Sequence, residues 1–244
     1  MEPLRIHLWS GPRNVSTAIM YAFAQRPDTT VVDEPLYGHY LRVSGALHPG
    51  RDEVLAAMDT DGESVVRKVL LGDVPTSVVF YKQMAHHLVE LGLDFLADAR
   101  NVLLIRDPAD VVRSLRHQIP HPTLEDTGIA AQTRLFDHLR GRGQEVPILD
   151  ARELLANPEA VLRKLCEGLG LRFDPTMLSW PPGPIAADGV WAPHWYHNIH
   201  RSSGFGPYSE KDEPVPDDLA GVVAESRPHY DRLHARALRA DSGA

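Results

Sequence analysis

Five short apolar runs, spaced along the chain with helix-patterned residues between them, constrain this sequence more than any other feature. Leu4–Trp9, Thr29–Val32, Ser77–Tyr81 ("SVVFY"), Asn101–Ile105 ("NVLLI") and Val146–Leu149 read as buried strands. Ser64–Leu71, rich in valine, reads as a further strand. Helices are expected over 16–25, about 51–59, 83–91 and 124–142, and near the end over 217–238. Asp107-Pro108 and Asn157-Pro158 each supply an N-cap followed by proline at the first helical position, and the second of these helices ends near Gly168–Gly170. Strands alternating with helices predict an α/β fold with a mostly parallel sheet. At 244 residues, 43% of them hydrophobic, the chain can bury one sizeable core, which favours one domain over 1–244.

The net charge of −8 argues against non-specific nucleic-acid binding, which needs a broad basic surface. Cys166 is the only cysteine, so an internal disulfide is excluded. Its helical spacing from Val161, Leu162, Leu165 and Leu169 places it in a core. The start "MEPLRIHLW" lacks signal-peptide architecture. No apolar run approaches the roughly 18 residues of a membrane span. A soluble cytoplasmic protein is the expectation.

The first apolar run leads into "SGPRNVSTA" at 10–18. Strand, tight turn and helix together make a general anion cradle: amide N–H groups at the helix start point at the ligand, and the helix dipole adds to them. Ser16 and Thr17 stand at that start, and Arg13 offers charge-assisted contacts to phosphate or sulfate. An ATP-type loop needs G-x-x-x-x-G-K-[ST]. Here Gly11 is followed five positions on by Ser16, and the second glycine and the lysine are missing. The plain alternative is a helix cap that binds nothing.

Two further stretches end strands. In "LIRDPADVVRSL" at 104–115, Arg106 closes a strand and Ser114 follows eight residues later. Ligands of open α/β sheets bind beyond the carboxyl ends of strands, which suits an arginine there. A surface pairing with Asp110 is the plain alternative. In "VVFYKQMAHH" at 78–87, Lys82 also sits at a strand end, and a helix over 83–91 would put His86 on its face one turn later.

Taken together, the three stretches resemble the sulfotransferases that use 3′-phosphoadenosine 5′-phosphosulfate (PAPS). The family loop "P-[KR]-S-G-[ST]-T" is similar to Pro12, Arg13, Asn14, Val15, Ser16 and Thr17. The family motif "R-D-P-x-D-x-x-x-S" is matched at every fixed position by "RDPADVVRS", Arg106 to Ser114. The resemblance covers roughly residues 4–170. It implies a P-loop NTPase-like three-layer α/β/α fold. It also implies that the loop holds the 5′-phosphosulfate and that Arg106 and Ser114 hold the 3′-phosphate. Asn14 and Val15 depart from the family's Ser-Gly. Because Val15 disfavours positive φ, the turn must differ in detail.

The resemblance implies in-line sulfuryl transfer to a hydroxyl or amine of a small molecule, with catalysis by positioning and charge stabilisation. Arg13 and Lys82 are the candidate cations. A transferred SO₃ carries less charge than a phosphoryl group, so no metal is expected. Some branches of the family take their base from a histidine after the strand-end lysine, here His86. Others use a glutamate after the second strand, here Glu34 in "VVDEPLY". Glu34 is preferred, on the expectation that strands one and two lie side by side; its plain alternative is a turn residue before Pro35.

Residues 180–216, rich in Pro, Gly, Trp and His, read as a long lid or acceptor loop. "RSSGFG" at 201–206 is a candidate segment for closing over the donor. His194, His197 and His200 carry metal-like spacing, but no cysteine or nearby carboxylate supports a metal site. Asp212, Glu213, Asp217 and Asp218 read as a solvated acidic stretch. Two competing functions are an ATP-dependent P-loop kinase and a non-catalytic nucleotide-binding module.

Overall fold

Strands β1 (Leu4–Ser10), β2 (Thr29–Asp33), β3 (Val78–Met84), β4 (Arg100–Ile105) and β5 (Ile148–Asp150) form one parallel sheet in the order β2-β3-β1-β4-β5. The computed structural model describes residues 2–208 and 214–240. The helices are α1 (Ser16–Ala24), α2 (Tyr37–Ser44), α3 (Arg51–Ala57), α4 (Gly62–Val65), α5 (Pro108–Leu115), α6 (Leu124–Thr127), α7 (Ile129–Gly141), α8 (Ala151–Ala156), α9 (Pro158–Gly168), α10 (Ala192–Trp195) and α11 (Ala220–His234).

Strand alternation divides the core into two layers. Ile6, Leu8, Phe80, Val102 and Leu104 pack with Ile19 and Phe23 of α1 and Val161, Leu165 and Cys166 of α9. Trp9, Val79, Tyr81, Leu103 and Ile105 pack on the other face with Leu135 and Phe136 of α7 and Tyr230 of α11. A parallel sheet covered on both faces is why the strands read as unbroken apolar runs. A third cluster, Tyr37, Tyr40, Leu41, Val54, Trp191 and Tyr196, docks the segment around α10 onto α2 and α3.

Three expected elements are different. Ser64–Leu71 is not a strand: α4 runs on through a π-helical turn at Val66–Leu70. Asp61 caps it by accepting from the amides of Glu63 and Ser64, and Arg5 donates to the carbonyls of Leu70, Leu71 and Gly72 at its far end. Buried Val65, Val66 and Leu70 with exposed Arg67 and Lys68 between them fit a helical period that valine content obscured. The helix expected over 83–91 is also absent. β3 runs on to Met84, paired with Ser10 of β1, and only a 3₁₀ turn at Ala85–His87 follows. His86 is therefore not one helical turn beyond Lys82.

The helix expected over 124–142 is broken at Gly128, whose φ is +73°. A Cβ there would lie 3.0 Å from the Gly11 Cα, and a Cβ on Gly11 would lie 2.2 Å from the Thr127 carbonyl oxygen. The two glycines let the cradle loop rest against the α6–α7 junction.

Asp107 caps α5 through the Ala109 amide and receives both terminal guanidinium nitrogens of Arg227 on α11, at 2.8 and 3.1 Å. Asp107→Ala is expected to cost about 1–2 kcal/mol through the lost cap and ion pair. Thermal unfolding would show this as a fall in Tm of about 2–4 °C per kcal/mol. An unchanged Tm would mean that solvent replaces both contacts without loss.

Candidate active site

Beyond the carboxyl ends of β1, β3 and β4 lies a cavity of about 440 Å³. Every residue singled out from the sequence as a site residue lines it: Pro12, Arg13, Asn14, Val15, Ser16, Thr17, Glu34, Lys82, His86, Arg106 and Ser114.

The turn between β1 and α1 leaves the start of the helix without a side-chain cap. Val15, at the cap position of α1, has φ −89° and makes no side-chain cap hydrogen bond, so the first amides of α1 are not occupied by a cap. The plain capping alternative therefore does not describe this turn. The left-handed residue is Arg13, at φ +55°, and Val15 is spared. Asn14 staples the turn: its Nδ2 donates to the Leu104 carbonyl at 3.1 Å and its Oδ1 accepts from the Val15 amide at 2.8 Å.

Arg13, Arg106 and Ser114 meet. Arg13 Nε donates to Ser114 Oγ at 2.9 Å, and an Arg106 terminal nitrogen donates to the Arg13 carbonyl at 2.9 Å. Arg106 also lies 3.6 Å from Asp110, so the alternative pairing exists alongside its place in the cavity, but with a buried partner and not at the surface. Among the described residues no carboxylate pairs with Arg13. Burial, and then the charge of Arg106, pulls its guanidinium below the ordinary value. Arg13 and Arg106 thus bring two guanidinium charges to the cavity that Ser16 and Thr17, at the uncapped start of α1, also line.

A buried polar knot borders the same cavity. Lys82 Nζ donates to Asp33 at 3.0 Å, to Tyr196 Oη at 2.9 Å, and to Glu34. Its three N–H donors are thus all used. Burial works against its charge, but Asp33 and Glu34 outweigh it and hold Lys82 well above the usual lysine range. Glu34 is reached differently from the expectation. β2 is not beside β1; β3 intervenes, and Glu34, at φ +38°, hangs from the Lys82 carbonyl by its own amide at 2.8 Å. Burial raises the Glu34 carboxyl above its ordinary value; Lys82 opposes this and Asp33 adds to it.

His86 packs edge-on against Tyr40 and His87, and its Nδ1 has no hydrogen-bond partner. Burial, then His48, lowers its pKa to about 3. The three loop histidines diverge. His200 Nε2 sits 2.8 Å from Asp188, the His194 ring lies over Gly50, and His197 is exposed. Among the described residues no three His, Cys, Asp or Glu side chains form a metal-sized group.

Residues 180–208 carry α10, a 3₁₀ turn at Ile199–Arg201 and a bridge from Gly204 to Ser179. Trp191, Trp195, Tyr196 and Phe205 from this segment line the cavity. Asp212 and Glu213 lie outside the described residues. Tyr196 and Asp33, which complete the knot, were not singled out as site residues from the sequence; Asp33 stands beside Glu34 in "VVDEPLY", and Tyr196 is one of several aromatics in the 191–200 segment. No helix among the described residues is long and apolar enough to cross a membrane.

A five-stranded parallel sheet with a strand–turn–helix loop after β1, whose Arg13 reaches Ser114 of the helix after β4, defines a P-loop-like α/β architecture. The chain belongs to the sulfotransferase-domain family, whose model matches residues 4–237. Among solved structures it is similar to the sulfotransferase domain of the Synechococcus PCC 7002 olefin synthase, with a TM-score of 0.56 and 18% identity, covering 92% of this chain and 94% of that one. A sulfotransferase from Alicyclobacillus acidocaldarius gives the same TM-score at 15% identity, covering 98% and 97%. Of curated proteins, branched-chain-amino-acid aminotransferase-like protein 1 of Arabidopsis thaliana is 37% identical over 242 residues, 99% of this chain. The chain spans 43% of that relative's length.

Proposed function

We propose that this protein transfers a sulfuryl group from PAPS to a hydroxyl or amine of a small molecule. The observation that carries the reading is the meeting of Arg13, Arg106 and Ser114 over the uncapped start of α1, in one cavity with the Glu34–Lys82 pair. The donor supplies an activated S–O anhydride bond. The amides of α1 with Ser16 and Thr17 bind its 5′ end, and Arg106 and Ser114 bind its 3′-phosphate. Arg13 bridges the two, with its backbone in the loop and its guanidinium on Ser114. Glu34 takes the acceptor's proton as the acceptor–sulfur bond forms and the anhydride S–O bond breaks. Lys82 has no N–H left for the donor in this arrangement, so it serves the carboxylates. Trp191, Trp195 and Tyr196 cover the acceptor end and keep water away from it.

The "aminotransferase-like" name belongs to a protein more than twice as long, and it carries no weight against the family assignment of this chain. Calorimetry tests the proposal. 3′,5′-Adenosine bisphosphate is expected to bind tightly without metal, with AMP at least tenfold weaker, since a charge-assisted hydrogen bond contributes about 1.5–3 kcal/mol. ATP is expected to bind weakly, because the loop lacks the lysine that reaches its terminal phosphates. Equal affinity for AMP and the bisphosphate would overturn the assignment of the 3′-phosphate site.

A further inference from the structure

The knot at the end of β2 holds two carboxylates and one ammonium, all buried. One lysine neutralises one carboxylate, so the two acids cannot be equivalent. Donor count separates them. Asp33 accepts from Lys82 Nζ at 3.0 Å, from Tyr196 Oη at 2.7 Å and from the Gly189 amide at 3.4 Å. Its side chain has no exposure, and it does not line the cavity. Glu34 does line the cavity, and among the described residues its carboxylate accepts a hydrogen bond from Lys82 alone.

The tyrosine is oriented for this division. Tyr196 Oη accepts from Lys82 at 2.9 Å and from Trp191 Nε1 at 3.2 Å, which leaves its own proton for Asp33. The remaining hydroxyl near Glu34, that of Tyr37, is turned to His48 Nδ1 at 3.0 Å. From every element packed against it, then, Glu34 faces Asp33 of β2, Lys82 of β3, Tyr37 of α2 and Tyr196 just after α10.

We infer that Asp33 is a positioning residue, the counter-ion of Lys82, held there by Tyr196 and the Gly189 amide so that Glu34 is left as the group that takes the proton. This rests on the reading of Glu34 as the base. Asp33 touches no reacting atom. It keeps the ammonium from belonging wholly to Glu34, which would make Glu34 a weaker proton acceptor.

The test is the pH profile of kcat/KM with saturating donor. In Asp33→Asn the lysine turns wholly to Glu34 and the competing charge is gone. The acid limb is expected to move to lower pH by about one unit or more, and kcat to fall roughly tenfold or more, with donor affinity within about twofold of the native value. Tyr196→Phe, which removes one oxygen, is expected to move the limb the same way by less. A lower rate with an unmoved limb in both variants would mean a merely structural role and would overturn the inference. Should Asp33→Asn fail to fold, an unmoved limb in Tyr196→Phe overturns it alone. If Glu34→Gln keeps its turnover, the base reading fails and this inference with it. If Glu34→Gln collapses while neither limb moves, only this inference fails.

Discussion

Glu34→Gln is expected to lower kcat by about 10²–10⁴, the usual contribution of general-base catalysis, with donor affinity nearly unchanged. The substitution keeps the shape and an acceptor oxygen for Lys82 but removes basicity. Donor affinity is expected to be spared because the Glu34 carboxylate is hydrogen-bonded to Lys82 and not to Arg13, Arg106 or the α1 amides. The native enzyme's pH profile adds a sign. Burial raises the Glu34 carboxyl above its ordinary 4.5, so activity falls as pH drops through that raised value, and the acid limb lies above the ordinary carboxylate range. His86 is the competing base. With its pKa lowered to about 3 by burial and by His48, it is a poor proton acceptor at neutral pH. His86→Ala is expected to do less to kcat than Glu34→Gln. Near-native turnover in Glu34→Gln with collapse in His86→Ala would transfer the role to His86.

Arg106→Ala is expected to weaken 3′,5′-adenosine bisphosphate by tenfold or more beyond any loss for AMP, the worth of a charge-assisted hydrogen bond. The comparison with AMP matters because Arg106 has a second duty: it donates to the carbonyl of Arg13, the left-handed residue of the loop. Loosening that turn would weaken both ligands alike, whereas loss of the 3′-phosphate contact weakens only the bisphosphate. Ser114→Ala should give a smaller loss of the same kind, since it also frees Arg13 Nε. Calorimetry on both variants separates the effects. Equal losses for the two ligands in Arg106→Ala would reduce the arginine to a support for the loop.

The sheet was legible because its strands are buried on both faces and therefore keep an apolar signature. The cluster of Arg13, Arg106 and Ser114 was legible for a related reason: they lie in two contiguous motifs, and the chain brings those motifs together simply by making parallel strands. Ser64–Leu71 misled because valines suit a strand by propensity, while Asp61 and Arg5, one of them distant in sequence, capped a helix instead. The helix after Lys82 misled because pairing with β1 carries β3 further than its local pattern implies. The strand order was not readable at all: nothing local in Thr29–Asp33 says that β3 will insert between it and β1. Nor does any local pattern announce that Tyr196 will meet Lys82, 114 residues away.

That separation bears on the order in which the molecule is made. The whole sheet is encoded within the first 150 residues, yet the bonds from Asp33 to Gly189 and to Tyr196 span 156 and 163 positions. Contacts so remote in sequence form after the local ones, since long loops must close first. A nascent chain that has emerged only as far as β5 contains Asp33, Glu34 and Lys82 but lacks Gly189, Trp191 and Tyr196, which complete their hydrogen bonding. The polar knot is therefore completed only after residues 189–196 have followed the sheet strands, and α11, whose Tyr230 packs on the sheet, follows later still.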